Sequence, residues 1–308
     1  MQIGNFTELR KLLKQENHIR VVIACAQEEE LLLAHRAQKE ELAAFTLIGD
    51  AGQLEEIGRR HGISISQFHL IDIKDHKKAA QHAMKLIHTG EADIPMKGLL
   101  HTAVFMGAVL DKQYGLNAVR RVSQITAFED RQGGLKFLTD CAVNVDQSLK
   151  IKKDMIENAV ELVRGFGYEC PKVALLGAVE TVNEQMEDTL ISAALTQMNR
   201  RGQIKNCLID GPLSLDNAIS RQAARQKQIV SEVAGEADIL VGSSLQEANT
   251  LSKSLHFYAG ISTASLMMGT EKPFIMTSRT DDIENKLNSI AATCFYSKCS
   301  KKRGSQNR

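Results

Sequence analysis

The stretch that decides the fold class is IRVVIACA at residues 19–26, which leads into a helical pattern at residues 28–39. Its β-branched residues Val21, Val22 and Ile23 are consecutive, as expected for a strand that is buried on both faces. Short apolar runs and longer helical patterns continue to alternate through most of the chain. This alternation predicts parallel βαβ units, with helices packed on both faces of a sheet.

The remaining pattern indicates how these units are organised. Residues 149–166 form the clearest predicted helix, with apolar residues at three- and four-residue steps. Strands are predicted at residues 122–128 and 274–276, and the polar turn at residues 129–134 predicts a hairpin close to a domain crossing. At about 150 residues per domain, the length predicts two domains. We therefore expect a two-domain α/β protein with a ligand cleft between the domains.

The composition excludes several classes of protein. With 38 Lys and Arg against 37 Asp and Glu, the net charge of +1 provides no overall field for nucleic acid or acidic membranes. No apolar run approaches the roughly 20 residues that span a bilayer, and the N-terminus lacks the layout of a signal peptide. The six cysteines form no C-x-x-C pair. We therefore expect reduced thiols in a cytoplasmic protein without nucleic-acid or membrane partners.

The charge is distributed unevenly at the C-terminus. Residues 298–308 hold five basic residues and no acidic one, so removing them from the total of +1 leaves −4 for the rest of the chain. Such a tail could contact nucleic acid, although a frayed, solubilising terminus is the commoner structure.

Motifs for several common cofactors are absent from the sequence. It contains no G-x-G-x-x-G after the first strand, no G-x-x-x-x-G-K-[ST], no H-E-x-x-H and no G-x-S-x-G. The nine histidines do not cluster at metal-ligand spacing. These absences disfavour a dinucleotide-binding dehydrogenase, a P-loop ATPase, a zinc hydrolase and an esterase. We expect neither a metal site nor a permanently bound cofactor.

One segment, PFIMTSRTDD at residues 273–282, combines a strand end, polar side chains and a helix start. Ser278 and Arg279 suit an anion bound at a helix N-terminus, where free N–H groups and the helix dipole favour negative charge. A plain helix cap is the alternative, with Thr280 as N-cap and the acids after it complementing the dipole.

Two further segments carry reactive side chains at strand ends. In PMKGLLHT, residues 95–102, Lys97 precedes a glycine turn and Thr102 stands at a helix start, which is the same layout. A capped helix with a solvated lysine is the alternative. Cys141 follows another predicted strand and is either a nucleophile or a buried structural thiol.

Taken together, these segments resemble the phosphate acetyltransferase and phosphate butyryltransferase family, most closely its butyryl branch. The matching motifs follow the family's order and spacing from about residue 90 to about residue 290. They are MKGL at 96–99, TDCAVN at 139–144, PKVALL at 171–176, DGPL at 210–213 together with Asp216–Ala218, AGEADIL at 234–240 and TSR at 277–279.

The resemblance implies a fold and an activity. Two α/β/α domains with mainly parallel sheets are expected, with a cleft between them, as in the isocitrate and isopropylmalate dehydrogenase architecture. Residues 1–130 and 268–308 would form the first domain, and residues 131–267 an inserted second one. The implied protein is a homodimeric acyltransferase. It would convert acyl-CoA and phosphate into acyl phosphate and coenzyme A, with a short or branched acyl group.

The resemblance also implies roles for particular residues. Ser278 and Arg279 match the family's Ser-Arg pair, which holds the phosphate or the thioester carbonyl. Arg121 is an alternative to Arg120 as a second phosphate-facing arginine. The positions implied for binding phosphate or coenzyme A are Lys97, Thr102, Arg120, Asn249, Lys253 and Thr277.

Two positions depart from the family pattern. Gly107 stands where the family usually has an arginine, and Asn285 stands where the acetyl branch has an aspartate thought to act as base. We expect Asp281 or Asp282 to take that catalytic role, with Glu284 as a further candidate. The departures also leave an alternative function: a divergent paralogue that binds coenzyme A or acyl phosphate with little catalysis.

Overall fold

A computed structural model describes residues 2–14 and 19–306 of the chain. Its elements alternate between helix and strand for most of the chain, as the sequence predicts. In chain order they are α1 (Phe6–Lys14), β1 (Arg20–Ala24), α2 (Glu28–Lys39), β2 (Ala44–Gly49), α3 (Ala51–His61), β3 (His69–Asp72), α4 (His76–His88), β4 (Ile94–Lys97), α5 (Thr102–Val109), β5 (Ala118–Glu129), β6 (Leu135–Thr139), α6 (Leu149–Gly165), β7 (Lys172–Leu176), α7 (Glu187–Arg200), β8 (Leu208–Leu213), α8 (Leu215–Ile219), α9 (Arg221–Gln226), β9 (Ile239–Val241), α10 (Leu245–Phe257), β10 (Thr263–Thr270) and α11 (Ile283–Gln306).

The chain divides into two compact units, each assembled from separate stretches. We call Met1–Asn5 with Arg120–Thr263 the central unit, and Phe6–Val119 with Ala264–Arg308 the flanking unit. None of the helices within the described residues combines the length and the apolar character that a bilayer crossing requires. The basic tail is helical as far as Gln306, and residues 307 and 308 lie outside the described range.

The flanking unit contains a four-stranded parallel sheet with the strand order β3-β2-β1-β4. Strand β1 is central and pairs on both sides, with Val22 opposite Thr46 of β2 and opposite Pro95 of β4. All of β1 after Arg20 is buried, which explains its unbroken apolar run. Since the strands are parallel, their carboxyl ends meet at one edge, which we call the carboxyl edge.

The central unit contains a mixed sheet in which its own strands follow the order β5-β6-β9-β7-β8. Strands β5 and β6 form the predicted antiparallel hairpin, and Gly133 and Gly134 have positive φ angles in its turn. Strands β6, β9, β7 and β8 pair in parallel. The mixed α/β class is therefore as predicted.

The division between the units lies earlier in the chain than the sequence-based boundaries at 130/131 and 267/268. Strand β5 pairs with β6 as far as Glu129, so almost all of β5 belongs to the central unit. The N-terminal residues also belong there, because the N–H of Ile3 donates to the carbonyl of Phe166 at 3.1 Å.

One predicted strand is much reduced. At residues 274–276 only single bridges form, in which Phe274 pairs with Met267 and Ile275 pairs with Met96. The full strand in this region is β10, at Thr263–Thr270, which the sequence reading missed.

Candidate functional site

The carboxyl edge of the flanking unit gathers most of the residues singled out from the sequence. The N–H of Lys97, at the end of β4, donates to the carbonyl of Ile275 at 3.0 Å. The parallel bridge between Met96 and Ile275 directs Thr277, Ser278 and Arg279 past this edge. Two segments that are distant in sequence thus leave the sheet side by side.

A close backbone approach fixes the turn after Lys97. The N–H of Gly98 donates to the carbonyl of Ala24, and that of Leu99 to the carbonyl of Cys25, each at 2.9 Å. A Cβ at Gly98 would lie only 2.4 Å from the Cys25 oxygen and 2.5 Å from the Ala24 oxygen. Only glycine fits this position, so the turn that carries Lys97 is held against the end of β1.

Three charged side chains interact at this edge. Burial lowers the pKa of Lys97, and the nearby Arg279 guanidinium lowers it further, whereas Glu30 and Cys25 act in the opposite direction. Burial raises the pKa of Glu30, although its hydrogen bonds and the charges of Lys97 and Arg279 oppose the rise. Glu30, Lys97 and Arg279 therefore form one electrostatic cluster.

Cys25, beside this cluster, is not a nucleophile. Burial raises the pKa of its thiol to about 11, with contributions from Asp75 and Glu30 that outweigh Lys97. The thiol is therefore protonated at neutral pH and lacks the reactive thiolate form.

The Ser278–Arg279 segment forms a tight turn before α11. The N–H of Ser278 donates to the Asp281 carboxylate at 2.9 Å, and the Ser278 and Thr280 hydroxyls are 3.0 Å apart. Asp282 accepts the N–H of Asn285 at 2.8 Å and caps the helix, so Thr280 is not the N-cap. Ser278 and Arg279 remain exposed.

Two other sequence-predicted positions on this unit lie on α5. Thr102 is the first residue of the helix and is exposed. Gly107 lies in the last part of the helix, is exposed, and would have nothing within 4 Å of an added Cβ. A Cβ added at Gly107 would therefore meet no other atom in close contact.

The central unit holds the remaining candidates. Arg120 forms ion pairs with Glu157 at 3.4 Å and Glu161 at 2.8 Å, both on α6. The Nε of Arg121 instead donates to the side chain of Asn144 at 2.9 Å. Of the two candidate arginines, both on β5, Arg120 pairs with helix carboxylates, whereas Arg121 contacts the loop at residues 140–144.

Asp140 organises that loop. Its carboxylate is fully buried and accepts the N–H groups of Gln124, Ala142, Val143 and Asn144 at 2.8–3.3 Å. The Asn144 amide adds a further bond at 2.5 Å. A carboxylate supplies the acceptors that such a ring of donors needs.

Asn249 and Lys253, the other two positions implied by the resemblance, lie one turn apart on α10. The Asn249 amide donates to the Cys141 carbonyl at 2.8 Å and ties α10 to the loop, while Lys253 is exposed. Burial raises the pKa of the Cys141 thiol to about 12. Of the two readings of Cys141, the structure supports a buried structural thiol.

The sequence reading missed two charged residues. Lys152 is buried on α6, donates to the carbonyls of Gly242 and Ser243 at 2.8 and 2.9 Å, and has a pKa lowered to about 8 by burial. The sequence around Lys152 is rich in charged residues, which is typical of a solvent-exposed helix face, so the sequence did not indicate that this lysine is buried. Glu30 lies in a run of three glutamates typical of a first helical turn. The only available signal was its capping-box spacing from Gln27.

Within residues 2–14 and 19–306, no group of three or more His, Cys, Asp or Glu side chains is arranged to hold a metal ion. The carboxyl edge instead has the cations Lys97 and Arg279, with the carboxylates of Glu30 and Asp281 near them. The two cations and the exposed hydroxyls of Ser278 and Thr280 form a set of hydrogen-bond donors. Such a set suits an anionic ligand.

Comparison with known proteins points to one family. The family model described as Phosphate acetyl/butaryl transferase matches residues 76–294. The chain is 42% identical to a phosphate butyryltransferase from Clostridium beijerinckii, over 93% of this chain and 96% of the relative. It is 35% identical to a phosphate acetyltransferase from Rhizobium meliloti, over 87% and 86%.

Solved structures agree with this result. The crystal structure of a branched-chain phosphotransacylase from Enterococcus faecalis V583 superposes with a TM-score of 0.82 at 29% identity, over 91% of this chain and 99% of the other. A 4-hydroxythreonine-4-phosphate dehydrogenase from Klebsiella pneumoniae superposes with a TM-score of 0.57 at 12% identity, over 91% and 99%, which shows a shared fold alone.

Proposed function

The chain belongs to the Phosphate acetyl/butaryl transferase family, and on that premise we propose that it transfers an acyl group between coenzyme A and inorganic phosphate. The reaction is acyl-CoA plus phosphate giving acyl phosphate plus coenzyme A. A butyryl or branched-chain acyl group is favoured, because identity is higher to a butyryltransferase, at 42%, than to an acetyltransferase, at 35%.

The observation that carries this proposal is the meeting of Lys97 with Ser278 and Arg279 at the carboxyl edge. When a phosphate oxygen attacks the thioester carbonyl carbon, negative charge develops on the carbonyl oxygen. Two cations and a hydroxyl that are already in position stabilise that charge without reorganisation. Arg279 can also hold two phosphate oxygens at once.

Direct transfer needs neither a covalent intermediate nor a resident cofactor. Holding both substrates together supplies much of the rate, because a bimolecular encounter becomes an effectively unimolecular step. The high thiol pKa values of Cys25 and Cys141 favour this route over an acyl-cysteine intermediate. Coenzyme A and phosphate enter as substrates in this scheme.

Substitution of Arg279 tests the proposal. We expect Arg279→Ala to lower kcat by about 10²-fold, the usual cost of removing one preorganised charge-stabilising donor. The assay is phosphate-dependent release of the coenzyme A thiol from straight and branched acyl-CoA substrates. Arg59→Ala, which changes an exposed arginine on α3, is the control and should leave kcat unchanged. If wild-type protein releases no thiol with any of these substrates, the proposed reaction is wrong.

A second candidate function is a paralogue that binds coenzyme A or acyl phosphate with little turnover. It is favoured by Gly107, whose open surroundings could accept the arginine usual in the family. Tight coenzyme A binding in calorimetry without turnover would support it. A gain of rate in Gly107→Arg would identify the missing group.

We further propose that the protein works as a cytoplasmic homodimer. The family resemblance supports the dimer, and six cysteines without a disulfide among the described residues are compatible with a reducing compartment. Light scattering should give about twice the chain mass of 34.0 kDa. A mass of one chain at micromolar concentration would contradict the dimer.

A further inference from the structure

The thiol of coenzyme A must lose a proton when it attacks an acyl phosphate, so the proposed reaction needs a proton acceptor. A free thiol has a pKa of about 8.5 and is a poor nucleophile until it is deprotonated. Asn285 has no ionisable group, is buried, and donates its N–H to the helix cap. Asn285 is therefore not the proton acceptor.

The acidic side chains next to Ser278 and Arg279 already hold the local structure together. Asp281 accepts the N–H of Ser278, and Asp282 accepts the N–H that begins α11. Glu284 forms ion pairs with Arg10 at 3.1 Å and with Arg36. These three acids all belong to the turn before α11 or to the first turn of that helix.

Glu30 is a carboxylate at the same edge from a different part of the chain. It lies in the first turn of α2, which follows β1, and is partly buried. Its Oε2 accepts the N–H of Gln27 at 3.0 Å, so the capping box orients the carboxylate. Ala24 at the end of β1 lies opposite Lys97 in the sheet, and α2 begins four residues later, so the first turn of α2 starts at the carboxyl edge. The charges of Lys97 and Arg279 both act on Glu30 there.

We propose that Glu30 is the general base of this site and accepts the thiol proton of coenzyme A. This role rests on the proposed function. The side chain would touch the reacting sulfur, so it is assigned as a catalytic residue.

The step balances in both directions. The Glu30 carboxylate takes the S–H proton as sulfur forms a bond to the acyl carbon. The bond between that carbon and the phosphate oxygen then breaks, and the leaving phosphate receives the proton from Glu30. In the opposite direction hydrogen phosphate loses its proton to Glu30 as it attacks, and the departing thiolate regains that proton when the C–S bond breaks.

The surroundings of Glu30 affect how basic its carboxylate is. Burial raises its pKa, which makes the carboxylate a stronger base than an exposed glutamate. The groups that act on it are Lys97 from β4 and Arg279 from the segment before α11, with the Cys25 thiol after β1 nearby. Both cations favour the ionised carboxylate, which is the form that accepts a proton.

Glu30→Gln is the informative variant, because glutamine at this position preserves the capping box while it removes the basic oxygen. In the coenzyme-A-consuming direction we expect kcat to fall by about 10²-fold or more. Wild-type kcat should rise with pH through the Glu30 titration and then level off, and this acidic limb should be absent in Glu30→Gln. A residue that only supports the fold would leave the pH profile unchanged.

Glu28→Gln is the matched control on the same helical turn. Glu28 pairs with the exposed His61 and Arg60, so its loss should leave both kcat and the pH profile as in the wild type. Glu30→Asp keeps a carboxylate and should retain the acidic limb of the pH profile at a reduced kcat. This variant provides a test that does not depend on the folding of Glu30→Gln. Thermal unfolding of all three variants checks that each is folded.

The pH profiles of the wild type and the variants test the assignment of Glu30 as general base. An acidic limb that is present in the wild type, Glu30→Asp and Glu28→Gln but absent in Glu30→Gln supports the assignment. If the wild type shows phosphate-dependent turnover, either of two results overturns the assignment of Glu30. These are an unchanged pH profile in folded Glu30→Gln and loss of the acidic limb in Glu30→Asp. A wild-type protein without turnover overturns the proposed function as well, so the two failures are distinguishable.

Discussion

Gly98→Ala tests whether the close approach of the Lys97 turn to β1 is needed for both stability and activity. The added Cβ would lie 2.4 and 2.5 Å from two backbone carbonyl oxygens, which cannot rotate away as a side chain can. Restoring a carbon–oxygen separation of about 3.3 Å requires the turn to move by roughly 1 Å. That movement also stretches the bonds from Gly98 and Leu99 to β1.

The expected magnitude follows from these contacts. Overpacking by one methyl group costs about 1–3 kcal/mol, and each weakened backbone hydrogen bond adds about 0.5–1.5 kcal/mol. We therefore expect Gly98→Ala to lower the free energy of unfolding by about 2–4 kcal/mol. Because Lys97 moves with the turn, a displacement of about 1 Å should also lower kcat by up to about 10²-fold.

Gly107→Ala is the matched control. That glycine lies in a helix with open space around it, so alanine should stabilise the protein by about 0.5–1 kcal/mol. Urea unfolding followed by circular dichroism gives both changes, and the acyl-CoA assay gives kcat. If Gly98→Ala is as stable and as active as Gly107→Ala, the close approach has no consequence and the reasoning is wrong.

The remaining predictions concern the central unit. Asp140→Asn should destabilise by about 2 kcal/mol or more, because an amide NH2 would face backbone N–H donors and leave some of them unpaired; an unfolding midpoint equal to that of the wild type would contradict this. The Lys152 pKa is about 8 in the folded protein and about 10.4 in an unfolded chain. The unfolded state therefore binds more protons between these values, and stability should rise with pH across that window by at most about 3 kcal/mol. Urea titrations from pH 7 to 11 should show the rise in the wild type and in Lys153→Met but not in Lys152→Met, and a rise that persists in Lys152→Met would exclude Lys152 as its source.

Much of the fold could be predicted because its elements carry local patterns. Helix α2 matches the predicted residues 28–39, and α6 matches the predicted residues 149–166 within one residue. Both have a periodic apolar face that is read within a few turns. The strand at residues 274–276 was overpredicted and β10 was missed, because a short apolar run does not reveal which neighbour it will pair with.

The candidate site was predictable only where its residues form contiguous motifs. Lys97 and the Ser278–Arg279 pair stand in short motifs whose order and spacing resemble a known family. Glu30 stands in no such motif, and its glutamate-rich turn is typical of any exposed helix start. Lys152 was hidden in the same way, because burial of a lysine depends on what packs over it.

The sequence by itself determined the βαβ alternation, the family motifs and the absence of common cofactor motifs, because periodicity and spacing act over a few residues. Only the tertiary structure decided which charges meet. The order β3-β2-β1-β4, with Ile275 beside β4, brings Glu30, Lys97 and Arg279 to one edge although they are far apart in the chain. The physical reason is that burial and electrostatic interaction depend on distance in space, which strand order sets and local sequence does not encode.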